Sequence, residues 1–526
     1  MLTFTEGHRH QHNHSTNKRI EIVHQQQGTS ASRHTSADLN RPCHSSSSSS
    51  SLIQLEKDLR NPLLLRQLEK VKQHREQASS SDFSVRYIHL ALTQNTNEMI
   101  IQFHTFGYDE NKIGRPMAII GKSEQELQSN PQWYGMGAVT TSYGDSSVTG
   151  FDHAILLNNL SFDTTYYYRV GFGHVVNGKP VFTVQSDSTF YFTTRSRDPS
   201  EVTIVIFGDM GVFFCESNIE RISKIVKDNT GNGNFFIYHV GDISYADSYP
   251  GFMYQYVWDK FFEHWEGVQP YVPYMTTVGN HEYGPRLGPD KHSFEYNFTA
   301  YNHKFWMPLR NDSQYGHNMW YHFDFGPIRI VAIDTETNYP NAPFHPVFQG
   351  DHVSYVKNAI MSANRTRTPF LMTVGHRPIY STEKGFSDAN GNVVGDSRIL
   401  QELFENDYKK YRVDMAICGH VHAYERQHPI YNGTIEQDQL KDPHNYINPQ
   451  DTIYIVDGSG GSLGGMDPNH DFNTNIKWNY MRYNNDEGFG LLKIKRDSLT
   501  SFVVNFQQFN DRGQVIDYFT MRKTQP

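Results

Sequence analysis

Five apolar segments of this 526-residue chain end in the same way, with Gly followed by a side chain able to bind a metal. They are TIVIFGD (Asp209), FFIYHVGD (Asp242), YMTTVGN (Asn280), FLMTVGH (His376) and MAICGH (His420). A buried strand carries such a side chain to the edge of a sheet, and glycine lets neighbouring backbones crowd together there. Ligands of α/β sheets gather outside those strand ends. One Gly-Asp or Gly-Asn after a strand is ordinary turn chemistry. Five such turns, each presenting Asp, Asn or His, predict one shared metal site.

The donor types narrow the metal. Asp, Asn, Tyr and His offer oxygen and imidazole nitrogen with no thiolate, which favours iron, manganese or zinc over copper(I) or an iron–sulfur cluster. Tyr245 lies three residues beyond Asp242 and His422 two beyond His420. Asp209, Asp242, Tyr245, Asn280, His376, His420 and His422 exceed what one ion needs in an open catalytic site. They suit two ions about 3.5–4 Å apart that share a bridging carboxylate. In extended backbone His420 and His422 would project to the same side, one toward each ion. Asp334, after the strand RIVAI, is expected to be structural.

The surrounding pattern divides the chain. Residues 1–81 are low complexity, with His8, His10, His12 and His14 near the start and a serine tract at Ser45–Ser51. Such a stretch buries too little apolar surface to offset its ordering entropy, so it is expected to be a disordered tail. Leu52–Gln77 is expected to form short helices, interrupted at Pro62. Residues 82–198 carry short aromatic and β-branched runs (VRYIHLAL, EMIIQFHTF, HAILLNNL, TTYYYRVGFG, STFYFTTRS) separated by turn residues, the pattern of a β-sandwich. Residues 199–526 alternate strands with helices, an α/β domain, and return to strands after Asp451 that complete it. One helix is expected in SNIERISKIVKDN, with Ile219, Ile222, Ile225 and Val226 inward and a Ser217–Glu220 capping box. A second is expected in SRILQELFENDYKKY, with Leu400, Leu403, Phe404, Tyr408 and Tyr411 inward.

Composition excludes some classes. The net charge is −9 and there is no basic run, which argues against a nucleic-acid binder. No apolar run is long enough for a membrane span. Cys43, Cys215 and Cys418 do not make a disulfide framework, and Cys215 and Cys418 are expected to be buried free thiols. Sequons at Asn159, Asn297, Asn311, Asn364 and Asn432 hint at glycosylation in the secretory pathway, while the first residues show no signal-peptide pattern.

The ordered blocks GDMG, GDISYAD, GNHE, VGHRP and GHVHAYER over residues 208–426 resemble the purple acid phosphatases, within the calcineurin-like metallophosphoesterases. The β-rich region resembles that family's fibronectin-III-like domain, so the likeness covers about residues 82–523. The fold implied is a metallophosphoesterase α/β domain, in which mixed sheets pack as a sandwich flanked by helices, behind an all-β sandwich. Related serine/threonine phosphatases have His where this chain has Gly211, and Asp where it has Tyr245. By resemblance, Asp209, Tyr245 and His422 bind Fe(III). Asn280, His376 and His420 bind a divalent ion (zinc, manganese or iron), and Asp242 bridges the two. The three anionic ligands leave a net charge of about +2 to attract phosphate and acidify a bound water.

The reaction so implied is acid-phosphatase hydrolysis of a phosphomonoester by metal-bound hydroxide. Asn280 and His281 face the substrate, and His281 contacts a phosphate oxygen or protonates the leaving group. Plant members of the family resemble a pattern with further substrate histidines after the VGH block, whereas Ser381–Ser397 here has none. Glu383, Asp388 and Asp396 are the acidic residues available in their place. A homodimer and a secreted, lysosomal or vacuolar location accord with the resemblance. The alternatives are a phosphodiesterase or nucleotide pyrophosphatase on the same site, and a binding module attached to an inert hydrolase.

Overall fold

The aromatic and β-branched runs of the first region pair into two antiparallel sheets, in a computed structural model that describes residues 82–524. Residues 136, 144–149, 214, 250–252, 286–296, 309–317, 345–350 and 499 are excepted. The tail, its short helices and Cys43 lie outside the described residues. One sheet has the order β1 (Arg86–Ala91), β2 (Met99–Thr105), β6 (Phe151–Leu157), β5 (Val139–Thr141). The other runs β4 (Gln132–Tyr134), β3 (Arg115–Gly121), β7 (Thr165–Val176), β8 (Lys179–Gln185), with β9 (Phe190–Thr193) also on β7. Their inner faces meet where Phe103 packs edge-on against Phe172.

Two seven-stranded sheets form the larger region. The first runs β12 (Tyr274–Thr277), β11 (Phe235–Val240), β10 (Glu201–Phe207), β23 (Gly488–Arg496), β24 (Ser501–Asn510), β25 (Val515–Thr524), β20 (Asn445–Ile447). The second runs β13 (Tyr321–Phe325), β14 (Ile328–Ile333), β15 (Phe370–Gly375), β16 (Met415–Cys418), β21 (Ile453–Asp457), β17 (Tyr424–Gln427), β22 (Asn479–Tyr483). Strands β10, β11 and β12 are mutually parallel, as are β14, β15, β16 and β21. Most of their side chains are buried on both faces, which is why they read as unbroken apolar runs. The sheets pack face to face: Phe236 meets Phe323 and Phe325, the Tyr238 and Tyr321 hydroxyls pair at 2.9 Å, and Tyr424 stacks on Phe506.

Helices cover the outer faces. Glu216–Asp228 buries Ile219, Ile222 and Val226, while Ile225 is only half-buried. The expected capping box does not form, because the helix begins at Glu216 and Ser217 is already inside it. The buried Asn218 amide donates to the carbonyls of Gly460 (3.0 Å) and Gly488 (3.3 Å), so docking rather than a cap fixes this first turn. The second expected helix spans Gly395–Tyr411 with a π turn at Gln401–Glu405. It buries Leu400, Phe404 and Tyr408, but Leu403 and Tyr411 are half-buried because the wider turn rotates the inward face.

The β-rich region and the larger region share one hydrophobic core. Buried Arg195 joins them, donating to the carbonyls of Asn95 (2.7 Å) and Asp324 (2.7 Å). The Tyr168 hydroxyl adds a bond to the Pro270 carbonyl at 2.8 Å. No described helix is long and apolar enough to cross a membrane.

Candidate metal centre

All five Gly-ligand turns lie at carboxyl ends of parallel strands, three from the first sheet and two from the second. Because the sheets pack face to face, the five loops meet at one edge of the sandwich. Crowding there demands glycine: a Cβ at Gly279 would collide with the Asp242 carboxylate, and one at Gly419 with that of Asp209. Asp209, Asp242, Tyr245 and His420 all have positive φ, between 50° and 70°. Non-glycine residues in the left-handed region are strained, and strain of this kind gathers at functional sites.

The donors form two clusters. In one, the Tyr245 hydroxyl is 3.2 Å from Asp209 Oδ1 and 3.0 Å from His422 Nε2. In the other, His376 Nε2 is 3.1 Å from Asp242 Oδ2, 3.3 Å from Asn280 Oδ1 and 3.2 Å from His420 Nδ1. Asp242, His376 and His420 offer ligand atoms that all lie within 4.8 Å of one another. The clusters are linked through the His420 N–H, which donates to Asp209 Oδ2 at 2.8 Å. His420 is not in extended backbone, contrary to the expectation for an i, i+2 pair. Its left-handed turn is what sends it to His376 while His422 reaches Tyr245.

The charges of the site call for a cation. Burial opposes charge on His376, but Asp242 and Asp209 outweigh it and raise the imidazole to about 10. His422 is raised to about 9 against burial, by hydrogen bonding and charge from Asp209. Burial would also raise Asp242, yet His376 and His281 hold it well below the usual carboxylate range. Burial and Asp209 keep the Tyr245 phenol neutral well beyond its ordinary pKa. Buried carboxylates that draw protons onto imidazoles would be equally served by metal ions, which bind neutral imidazole and displace those protons. Hard oxygen and imidazole donors at these separations fit two such ions.

His281 is half-buried beside this centre. Its Nδ1 is 2.6 Å from Asp247 Oδ1, and its Nε2 is 3.8 Å from Asp242 Oδ2. The sequence reasoning passed over Asp247, although it lies in GDISYAD. It also passed over Glu282 and Arg377. Buried Glu282 accepts the N–H groups of Asp242 (2.9 Å), Ile243 (2.8 Å) and Gly279 (2.8 Å), clamping two ligand loops together. Arg377 Nη1 is 3.2 Å from His420 Nε2, and its charge is met by Glu336 and Asp396, each at 3.0 Å. Each of these residues neighbours a ligand inside a motif block, which was the available signal. Ser462 Oγ, 2.9 Å from His422 Nδ1, and Asp467, which accepts the His422 N–H at 2.7 Å, come from a Gly-rich loop without ligand spacing.

Other candidates fall away from the centre. Asp334 Oδ1 accepts the N–H groups of Glu336 and Thr337, a structural role. Asp388 closes its own turn through Asn390 and Asn392, and Asp396 holds Arg377. Glu383 lies in the loop near His422's partner Asp467. The tail of GHVHAYER is structural, since Arg426 pairs with Asp517 of β25. Asn159, Asn297, Asn364 and Asn432 are exposed, and Asn311 lies outside the described residues. Cys215 and Cys418 are buried free thiols.

The calcineurin-like phosphoesterase family profile matches residues 202–424, and that of the purple acid phosphatase N-terminal domain matches residues 85–194. Residues 202–424 therefore have the calcineurin-like phosphoesterase fold. Among similar chains, one from Arabidopsis thaliana called probable inactive purple acid phosphatase 9 is 29% identical, covering 66% of this chain and 54% of its own length. Mouse acid phosphatase type 7 is 29% identical over 59% of this chain and 64% of its own. The solved purple acid phosphatase PPD1 of yellow lupin has a TM-score of 0.65 at 25% identity, covering 83% of this chain and 74% of that one. Both matched regions and the fold are thus similar to those of purple acid phosphatases. The chain spans between about half and two thirds of the length of the two curated relatives named.

Proposed function

We propose that this chain is an acid phosphatase that hydrolyses phosphomonoesters at a centre holding Fe(III) and a divalent ion. The observation that carries the reading is the convergence of seven donor side chains from five loops into two linked clusters. Asp209, Tyr245 and His422 would hold the ferric ion, the phenol oxygen being a hard donor. Asn280, His376 and His420 would hold zinc, manganese or iron, and Asp242 would serve both. When bound, the ions supply a water acidified to a nucleophile near neutral pH and positive charge for the phosphate oxygens.

The chain's own groups do the rest. Asn280 and His281 line the substrate side. Asp247 accepts the His281 Nδ1 proton and fixes the ring, which turns Nε2 toward the centre. With both ring nitrogens protonated, Nε2 is then aimed to give its proton to the departing alkoxide, while the Nδ1–H stays on Asp247. Glu282 and the crowded glycines hold the loops so that little rearrangement is needed on binding. The exposed sequon asparagines support passage through the secretory route.

The name of the Arabidopsis relative raises a second reading, a metal-binding protein without turnover. Retention of all seven donors favours activity. Metal analysis of purified protein, with rates on p-nitrophenyl phosphate and bis-p-nitrophenyl phosphate, separates the readings. We expect two ions per chain and faster monoester turnover. Two ions with no turnover would sink the enzymatic reading, and diester preference would sink the monoesterase one.

A further inference from the structure

The segment Ser381–Ser397 contains no histidine, yet it borders the centre. Its Phe386 ring packs edge-on against the His420 imidazole, with centroids 5.4 Å apart and planes at 78°. Phe386 backs onto Cys418, Val421, Ala423, Val456 and Phe472 and remains half-exposed. Its loop is well fixed. Glu383 forms a β-bridge with Phe472, the Lys384 N–H donates to the Asp471 carbonyl at 2.9 Å, and the Val394 N–H donates to the Phe386 carbonyl at 3.0 Å. An aromatic wall therefore stands beside a ring of the second donor cluster.

Carboxyl groups border this side, and burial raises Glu383 to about 7. Glu383 feels Asp467 and Asp471, and Asp467 is bonded to the His422 backbone. The nearby cations are engaged: Lys384 Nζ donates to the His470 carbonyl at 2.5 Å, and Arg377 is met by Glu336 and Asp396. A leaving group on this side meets an apolar ring.

We propose that Phe386 is a specificity-determining residue that selects phosphomonoesters with an aryl leaving group. This rests on the phosphomonoesterase reading above. Binding of non-hydrolysable phosphonates to the metal-loaded protein, measured by calorimetry, tests it without requiring turnover. Wild type should bind phenylphosphonate more tightly than methylphosphonate. That preference should fall about two- to tenfold in Phe386→Ala, the range of an aromatic contact. Phe386→Leu keeps apolar volume without a ring and should show the same fall if the alanine variant misfolds. An unchanged preference in a folded variant overturns the proposal. Ring-dependent phosphonate binding without hydrolysis would sink the enzymatic reading alone. Hydrolysis with no ring dependence would sink this inference alone.

Discussion

His281 and Asp247 form a pair whose function depends on one proton. Asp247 is fully buried and sits 2.6 Å from His281 Nδ1, so it holds the Nδ1–H and leaves the second N–H of the protonated ring, at Nε2, toward the centre. Asp247→Asn can present an amide N–H instead and disturb that orientation. Turnover should fall about 10²–10⁴-fold, the usual contribution of general acid catalysis. His281→Ala should cost a similar factor and the double variant little more, since the two act as one unit. Two ions per chain should remain throughout. Additive losses in the double variant would show that the residues act separately. Tyr245 tests the other cluster. A phenolate on ferric iron absorbs visible light by charge transfer, so the loaded protein should be coloured. Tyr245→Phe removes only the oxygen, and the absorption band should vanish while the far-UV dichroism is retained. A Phe variant that kept the band would exclude the phenolate.

At the scale of elements, the turns after β11 and β12 depend on Glu282. Its carboxyl group takes three backbone N–H groups, from Asp242, Ile243 and Gly279. In Glu282→Gln, one acceptor oxygen becomes an NH2 facing N–H donors. Leaving buried hydrogen-bonding groups unsatisfied costs about 1–3 kcal/mol. Groups that orient ligands in this way typically account for about 10–100-fold in metal affinity. Both a lower melting temperature and weaker metal retention on dialysis against chelator are expected, and unchanged retention would reduce Glu282 to a packing role. The ligand strands were legible in the sequence because the signal is local: a buried run, a glycine and one donor at each of five ends. The clamp was less legible because Glu282 is a ligand's neighbour with no donor spacing of its own. Ser462 and Asp467 carried no pattern, since only folding brings the Gly-rich loop to His422. The capping box misled because the tie between Asn218 and the sheet, 242 and 270 residues away in sequence, sets the helix start. The direction of His420 was misread because a strained turn is not encoded in an alternating pattern.

Across the whole molecule, the two seven-stranded sheets must stay in register for their loops to meet, and Asp457 joins them below the centre. It ends β21 in the second sheet, and its Oδ1 accepts from Gln508 Nε2 of β24 in the first sheet (2.9 Å) and from Ser459 Oγ (2.6 Å). Burial raises its carboxyl to about 7, while hydrogen bonds from Ser459 and Gln508 work in the opposite direction. In the unfolded chain the same group ionises near 3.8. Between those values the folded state binds a proton that the unfolded state has released. Stability from this group is therefore complete below about pH 4, is lost as pH rises toward 7, and is constant above that. The slope is roughly 1.4 kcal/mol per pH unit within the window. Asp457→Asn keeps an acceptor oxygen for Gln508 and Ser459 and cannot ionise. Chemical denaturation from pH 4 to 8 should show the variant gaining on wild type as pH rises, by up to a few kcal/mol at pH 8 and little at pH 4. Parallel pH profiles for the two proteins would mean that Asp457 is ionised in the folded state, and that the inter-sheet tie is made by a carboxylate rather than a neutral acid.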